Sequence, residues 1–119
     1  MIGSTRAIRV FVRSVPTDLR KGFDGLYGLV CNDLGQDPLR GDLYLFMNTR
    51  RTSAKVLHWD GTGLCVYAKR LSRGTFANLF TGGGSAAGAP TLTRTELALF
   101  LEGARLADRL PLSPEETQF

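Results

Sequence analysis

Four stretches of the chain have the apolar pattern of β-strands, and two others repeat with helical spacing. In residues 7–13, AIRVFVR, apolar and basic residues alternate, which predicts a half-buried strand because successive strand side chains point to opposite faces. Three more strands are predicted at residues 42–47, 54–59 and 64–69. The apolar residues between positions 17 and 34 instead recur every three or four residues, as on one side of a helix.

The ends of both helices carry recognisable signals. Thr17 or Asp18 is expected to cap the first helix, which runs to about Leu34, before the helix-breaking Gly35. The second helix is predicted from Arg94 to about residue 104, with Thr93 and Glu96 spaced as a capping box. The resulting order, β-α-β-β-β-α, predicts an α+β fold with a mainly antiparallel sheet of about four strands and two helices.

The length of 119 residues fits one domain with a modest core. We assign residues 1–110 to this domain, with a flexible Gly-rich loop at residues 81–90 and a tail at residues 111–119. No apolar run approaches the roughly 20 residues of a membrane span, and the first residues show no export signal. We therefore expect a cytoplasmic protein with no membrane partner.

The predicted strands give the sheet two different faces. One face is expected to be aliphatic and to form the core: Ile8, Val10, Val12, Leu43, Leu45, Met47, Val56, Leu64 and Val66. The other is expected to mix rings and cations: Arg9, Phe11, Arg13, Tyr44, Phe46, Lys55, Trp59, Tyr67 and Lys69. Such a mixed face is typical of platforms that stack nucleic-acid bases. The alternative is a sheet covered on both faces, with the C-terminal helix burying the rings.

Residues 54–74 predict a hairpin with a basic end. Asp60-Gly61 favours a tight turn, and Thr62-Gly63 lengthens the loop to about four residues. His58 and Trp59 precede this turn, and three cations, Lys69, Arg70 and Arg73, follow the second strand. Arg50 and Arg51 are expected at the exposed tip of the preceding hairpin. The arrangement favours contact with an anionic partner.

The distribution of charge agrees with that interpretation. The net charge is +4, but residues 1–93 hold 12 Lys/Arg against 6 Asp/Glu, while residues 94–119 hold 3 against 5. A basic excess confined to one part of a chain fits nucleic-acid contact.

Catalytic chemistry finds little support in the sequence. The chain has one histidine, no metal-ligand spacing and no phosphate-binding loop, and Cys31 and Cys65 are predicted to be buried, reduced thiols. We predict a protein that is not an enzyme and uses no metal or cofactor. A metal-dependent nuclease using Asp24 and Asp60 is a third, weaker possibility.

Three segments together resemble one protein family. They are TDLRKGFDGL at residues 17–26, KVLHWDGTGLCVYAKRLSRGTF at residues 55–76 and LTRTELALFLEGARL at residues 92–106. The chain is similar in these to the TnpB accessory proteins encoded by insertion sequences of the IS-sixty-six family. The resemblance implies a role in transposition beside a separately encoded DDE-type transposase. It runs from about Arg6 to Leu106, and the chain departs from the family's pattern just after Phe76, where it reads ANLFTGGGSAAGAP.

These observations predict a DNA-binding transposition accessory protein, with the transposon ends and the transposase as partners. The predicted phosphate contacts are the cations Arg20, Lys21, Arg50, Arg51, Lys55, Lys69, Arg70 and Arg73. Phosphate contacts carry no base sequence, so His58, Trp59 and Tyr67 are predicted to contact bases. The alternative is an interaction module whose aromatic patch docks the transposase without touching DNA.

Overall fold

The computed structural model describes residues 7–81 and 89–103 and contains a five-stranded sheet with two α-helices. The elements, in chain order, are β1 (Val10–Val12), α1 (Phe23–Asn32), a 3-10 helix (Pro38–Arg40), β2 (Leu43–Met47), β3 (Ser53–Trp59), β4 (Leu64–Arg70), β5 (Thr91–Leu92) and α2 (Arg94–Leu101). The strands lie side by side in the order β4-β3-β2-β1-β5.

The sheet is mainly antiparallel, which confirms the predicted fold class. Only β1 and β2 pair in parallel, because α1 and the 3-10 helix carry the chain back between them. The fifth strand, β5, is two residues long and pairs with β1 through Val10 and Leu92. A segment this short has no alternation to detect, so the pattern predicted four strands.

Helix α1 begins later than predicted. Thr17 is not a cap: its backbone N–H donates to the Met47 carbonyl at 2.8 Å and ties the segment to the end of β2. Asp18 instead accepts from the Arg20 backbone N–H in a local turn. The helix starts after Gly22, which provides no side-chain cap, and a left-handed Gly35 (φ 63°) follows its end.

Both faces of the sheet are covered, so the predicted aromatic platform is wrong. Helix α1 packs over the rings of Phe11, Tyr44 and Phe46, which are all buried. Phe11 and Tyr44 stack with their ring centroids 5.6 Å apart, and burial raises the pKa of Tyr44 to about 12. The predicted alternative, a doubly covered sheet, is correct, but the covering helix is α1 and not the C-terminal helix. Helix α2 lies over the aliphatic face with Val10, Val12, Leu45, Met47 and Val56.

The faces of β4 are the reverse of those predicted. Trp59 pairs with Leu64 across the four-residue loop, so Leu57 lies opposite Val66 and Val56 lies opposite Tyr67. Leu64 and Val66 therefore pack under α1, whereas Tyr67 and Lys69 share the α2 face. The hairpin register decides this, because a shift of one residue moves every side chain to the other face.

Helix α2 has the predicted capping box, in which Thr93 and Glu96 bond to each other's backbone N–H groups. No helix of the described residues is long and apolar enough to cross a membrane. Most of the predicted loop at residues 81–90 and everything after Gly103 lie outside the described residues, so those predictions stay untested.

Candidate nucleic-acid interface

Six of the predicted cations converge at one end of the sheet, which we call the basic end: Arg50, Arg51, Lys55, Lys69, Arg70 and Arg73. At this end β2 and β4 finish and β3 begins, with Ser53 opposite Arg70 and Met47 opposite Ala54. The two segments that form it, residues 47–55 and 67–76, carry three cations each and no Asp or Glu. Such a concentration of one sign of charge creates a positive potential that attracts anions.

The turn between β2 and β3 is held by the side chain of Asn48. Its carbonyl oxygen accepts from the backbone N–H groups of Thr52 and Ser53, at 2.9 and 3.0 Å. Its amide nitrogen donates to the Thr52 hydroxyl at 3.0 Å. Arg51 takes a left-handed conformation (φ 59°), which lets its guanidinium donate to the Phe76 carbonyl at 2.7 Å. Arg50 is left exposed at the turn.

The segment carrying Arg73 is fixed from both sides. The Leu71 backbone N–H donates to the Thr52 carbonyl at 2.9 Å, and the Phe76 backbone N–H donates to the Arg51 carbonyl at 2.7 Å. The Phe76 ring is fully buried and stacks on Phe100, with ring centroids 5.0 Å apart. The loop after β4 is therefore ordered by core packing, and it holds Arg73 beside the β2–β3 turn.

Arg20 and Lys21 join the basic end from the α1 side. The Lys55 ammonium donates to the Lys21 carbonyl at 3.2 Å, and the Lys21 stem lies against Gly25, where a Cβ would come within 2.9 Å of it. Arg20 is 91% exposed and paired with Asp18 at 2.8 Å. The hydrogen-bonded Arg20 guanidinium holds the pKa of Asp18 well below its usual range, so Arg20 adds little net charge.

The predicted phosphate contacts divide into anchored and free cations. Arg51, Lys55 and Lys69 each donate to a backbone carbonyl, and the Lys69 ammonium bonds the carbonyl of Leu101 at the end of α2 at 2.7 Å. Lys21, Arg50, Arg70 and Arg73 make no side-chain hydrogen bond or ion pair with any residue in the described ranges. The donors of these four cations are therefore available to a ligand.

We expect the side chain of Lys69 to contribute to the stability of the fold. Replacing it by Met keeps the apolar stem and removes the donor that satisfies the last turn of α2, so Lys69→Met should lower the free energy of unfolding by about 1–2 kcal/mol. Arg70→Met, on the neighbouring exposed residue, should change it by less than about 0.5 kcal/mol. Urea denaturation of the two variants measures both; equal losses would show that the Leu101 contact adds nothing.

Two of the three predicted base-contacting residues lie away from the basic end, whereas Tyr67 begins the segment 67–76 and shares the α2 face with Lys69. His58 and Trp59 are at the opposite end of β3, about 20 Å along the strand from Ser53. Tyr67 is 53% exposed in the middle of β4, on the α2 face, whereas Trp59 is on the α1 face. The expectation that Trp59 lies beside Lys69, Arg70 and Arg73 is therefore wrong.

The turn beyond Trp59 carries the acidic residue Asp60, which bonds to other residues of the same hairpin. One carboxylate oxygen of Asp60 accepts from the backbone N–H groups of Thr62 and Gly63, at 2.8 and 2.9 Å. These bonds lower the pKa of Asp60 to about 2. The other oxygen accepts from the Cys65 thiol at 3.5 Å, and partial desolvation together with the Asp60 carboxylate raises the pKa of that thiol. Cys31 and Cys65 are both exposed, contrary to the prediction of buried thiols.

The depressed pKa of Asp60 makes the hairpin sensitive to acid. The carboxylate is favoured in the folded state, so its contribution is present above the unfolded pKa of about 3.9 and is lost as the pH falls towards about 2. Asp60→Asn keeps the oxygen that accepts from Thr62 and Gly63 but does not titrate. Thermal melts between pH 5 and pH 2 should therefore show a shallower loss of stability in Asp60→Asn. Parallel curves for the two proteins would contradict the prediction.

The residues proposed for a nuclease do not form a site. Asp24 is in the first turn of α1, and Asp60 is in the β3–β4 turn. Among the described residues, no group of three His, Cys, Asp or Glu side chains is placed to hold a metal ion.

Comparisons with known proteins agree with the sequence motifs. A family model described as "IS66 Orf2 like protein" matches residues 8–110. In Sinorhizobium fredii (strain NBRC 101917 / NGR234), "Uncharacterized protein y4hO" is 35% identical over 103 residues, which cover 87% of this chain and 86% of that protein. "Uncharacterized protein y4jC" from the same strain is 38% identical over 76 residues, 64% of this chain and 65% of that protein. No solved structure matches the chain significantly.

Proposed function

The chain belongs to the IS66 Orf2 like family, whose role is accessory to insertion-sequence transposition, and we propose that it serves that role by binding DNA through the basic end. It acts without catalysis of its own, and its partners are the DNA of the element and the separately encoded transposase. The observation that carries the proposal is the convergence of six cations, with no carboxylate in the segments that bear them, at one end of the sheet.

The state of the cations supports this function. Arg50, Arg70 and Arg73 have no partner among the described residues, and guanidinium groups pair readily with phosphate oxygens. Arg51, Lys55 and Lys69 bond to uncharged carbonyls, so they keep their positive charge while they hold the surface in place. Lys69 lies on the α2 face and Lys55 on the α1 face, so the cations surround this end of the sheet from both sides.

Salt dependence of binding tests the proposal. A protein that neutralises four to six phosphates loses roughly 10²–10³-fold in affinity between about 50 and 200 mM salt, because condensed counterions are released on binding. Fluorescence anisotropy with a labelled duplex from the element end should show this loss. No binding at about 50 mM salt, or an affinity that does not change with salt, would reject DNA binding as the function.

One observation favours the second candidate function, docking of the transposase. Strand β4 is an edge of the sheet, and no strand in the described ranges pairs with its outer side. The Leu71 backbone N–H donates to the Thr52 carbonyl, and the Asp60 backbone N–H donates to the Gly63 carbonyl. Because hydrogen-bonded pairs alternate along an antiparallel ladder, every second residue of β4 bonds to β3, and Val66 and Ala68 direct their peptide groups outward. An edge of this kind accepts an added strand from a partner.

A proline substitution in this edge tests transposase docking. Ala68→Pro removes an outward N–H without breaking a bond to β3, so the protein should remain folded. If the edge docks the transposase, the variant should fail to co-purify with it from a nuclease-treated lysate, while Ala68→Ser should succeed. Equal recovery of both variants would exclude the β4 edge as the docking site.

A further inference from the structure

We infer that Tyr67 stacks on an unpaired base, so that the basic end binds single-stranded DNA more tightly than duplex DNA; the inference rests on the proposed function. The ring of Tyr67 is 53% exposed, and its side chain makes no hydrogen bond or ring contact with any residue in the described ranges. Proteins that hold single strands stack bases on exposed rings that lie close to cations.

The ring is exposed because helix α2 does not extend over the edge strand. Helix α2 covers residues of β1, β2 and β3, whereas no residue of β4 is buried. Tyr67 lies opposite Val56, which is a core residue of the α2 face. The ring therefore lies at the margin of the core, with about half of its surface in water.

A positioned cation lies next to this ring. Lys69 and Tyr67 are two residues apart on the same face of β4, about 6–7 Å along the strand. The Lys69 ammonium bonds the Leu101 carbonyl at 2.7 Å, which fixes its position and leaves two of its three N–H donors for a ligand. A phosphate bound by Lys69 leaves the base of the same nucleotide within reach of the Tyr67 ring.

The charges along the hairpin determine where the phosphates can lie. The segment that begins at Tyr67, residues 67–76, has three cations and no carboxylate. The carboxylate of Asp60 lies at the other end of the hairpin. The DNA backbone is therefore attracted towards Arg73 and repelled from the turn, with the ring of Tyr67 at the inner limit of the positive region.

Stacking on Tyr67 requires a base whose face is uncovered. The bases of a duplex are paired and stacked on one another, so only a single strand offers such a base. Stacking on a protein ring contributes roughly 5- to 100-fold in affinity per base. Each phosphate contact adds about 0.9 to the salt slope for a duplex but about 0.7 for a single strand, so with four contacts the preference for the single strand should grow about threefold between 50 and 200 mM salt.

The test uses the whole protein and two probes of equal length at about 100 mM salt: a single strand without self-complementarity and its duplex. We expect the single strand to bind at least about fivefold more tightly. Tyr67→Leu should lower the single-strand affinity by about fivefold or more and leave the duplex affinity within about twofold. Tyr67→Phe, which keeps the ring, should bind both probes as the unsubstituted protein does. Unchanged single-strand binding by Tyr67→Leu would overturn the inference.

Two further rings serve as controls. Trp59→Leu removes the ring at the opposite end of β3, and Phe23→Leu removes the exposed ring that follows Lys21 at the start of α1. Both variants should keep the single-strand affinity within about twofold. A loss in either of them but not in Tyr67→Leu would assign stacking to another ring and contradict the inference.

The two levels of the proposal fail differently. Duplex binding without any preference for the single strand would overturn the role of Tyr67 and leave the proposed function in place. No binding of either probe at about 50 mM salt would reject DNA binding itself.

Discussion

Replacing Arg50, Arg70 and Arg73 together by Ala is expected to lower the affinity for duplex DNA by two orders of magnitude or more. These residues have free guanidinium groups at the basic end, and a hydrogen bond to a charged group contributes about 1.5–3 kcal/mol. The slope of log affinity against log salt should fall by about 2.7, since each lost phosphate contact removes about 0.9. Anisotropy titrations over a salt series measure both quantities.

A control distinguishes the loss of the binding site from the loss of positive charge. Arg70→Ala/Arg73→Ala and Arg40→Ala/Arg94→Ala both remove two positive charges, but Arg40 and Arg94 lie at the opposite end of the sheet. Only the first pair should weaken binding strongly, while the second should change it less than about threefold. Equal losses would mean that net charge governs binding and that the basic end is not the site. Circular dichroism confirms that each variant is folded.

Phe76→Ala is expected to be among the most destabilising substitutions, costing about 3–5 kcal/mol of the free energy of unfolding. The Phe76 ring is fully buried between the sheet and α2, and its backbone N–H and carbonyl both bond to Arg51. The loss approaches the total stability of many small domains, about 5–15 kcal/mol. Urea denaturation followed by circular dichroism gives the value.

A second phenylalanine in the same chain is the matched control. Phe23, at the start of α1, is 52% exposed, so Phe23→Ala removes the same atoms from a site that is half in water. Its cost should stay near or below 1 kcal/mol. If the two variants unfolded at similar urea concentrations, Phe76 would not be the residue that fixes the loop carrying Arg73.

The core strands and the capping box were predictable from sequence because their causes are local. Alternation identified β1 to β4, and the spacing of Thr93 and Glu96 identified the start of α2. The start of α1 was not predictable. Thr17 is a favourable cap by residue type, but its backbone N–H bonds the distant Met47 and leaves the helix to begin after Gly22.

The candidate site was only half predictable for the same reason. The residue types and their neighbourhood in sequence located the cations that form the basic end. Nothing local indicates that Lys69 bonds the carbonyl of Leu101, 32 residues away, or that Arg51 bonds the carbonyl of Phe76. These contacts separate anchored cations from free ones, and they depend on how distant segments pack.

The sequence by itself determined strands β1 to β4, the turn that joins β3 to β4 and the family to which the chain belongs. The tertiary structure decided which side chains lie on the same face and at the same end of the sheet. Pairing Trp59 with Leu64 placed Tyr67 and Trp59 on opposite faces, and the antiparallel course of β3 and β4 put the cations at one end and the indole at the other. The physical reason is that hairpin register and helix packing are global properties: one residue of slip exchanges the faces, and helices must cover whatever apolar surface results.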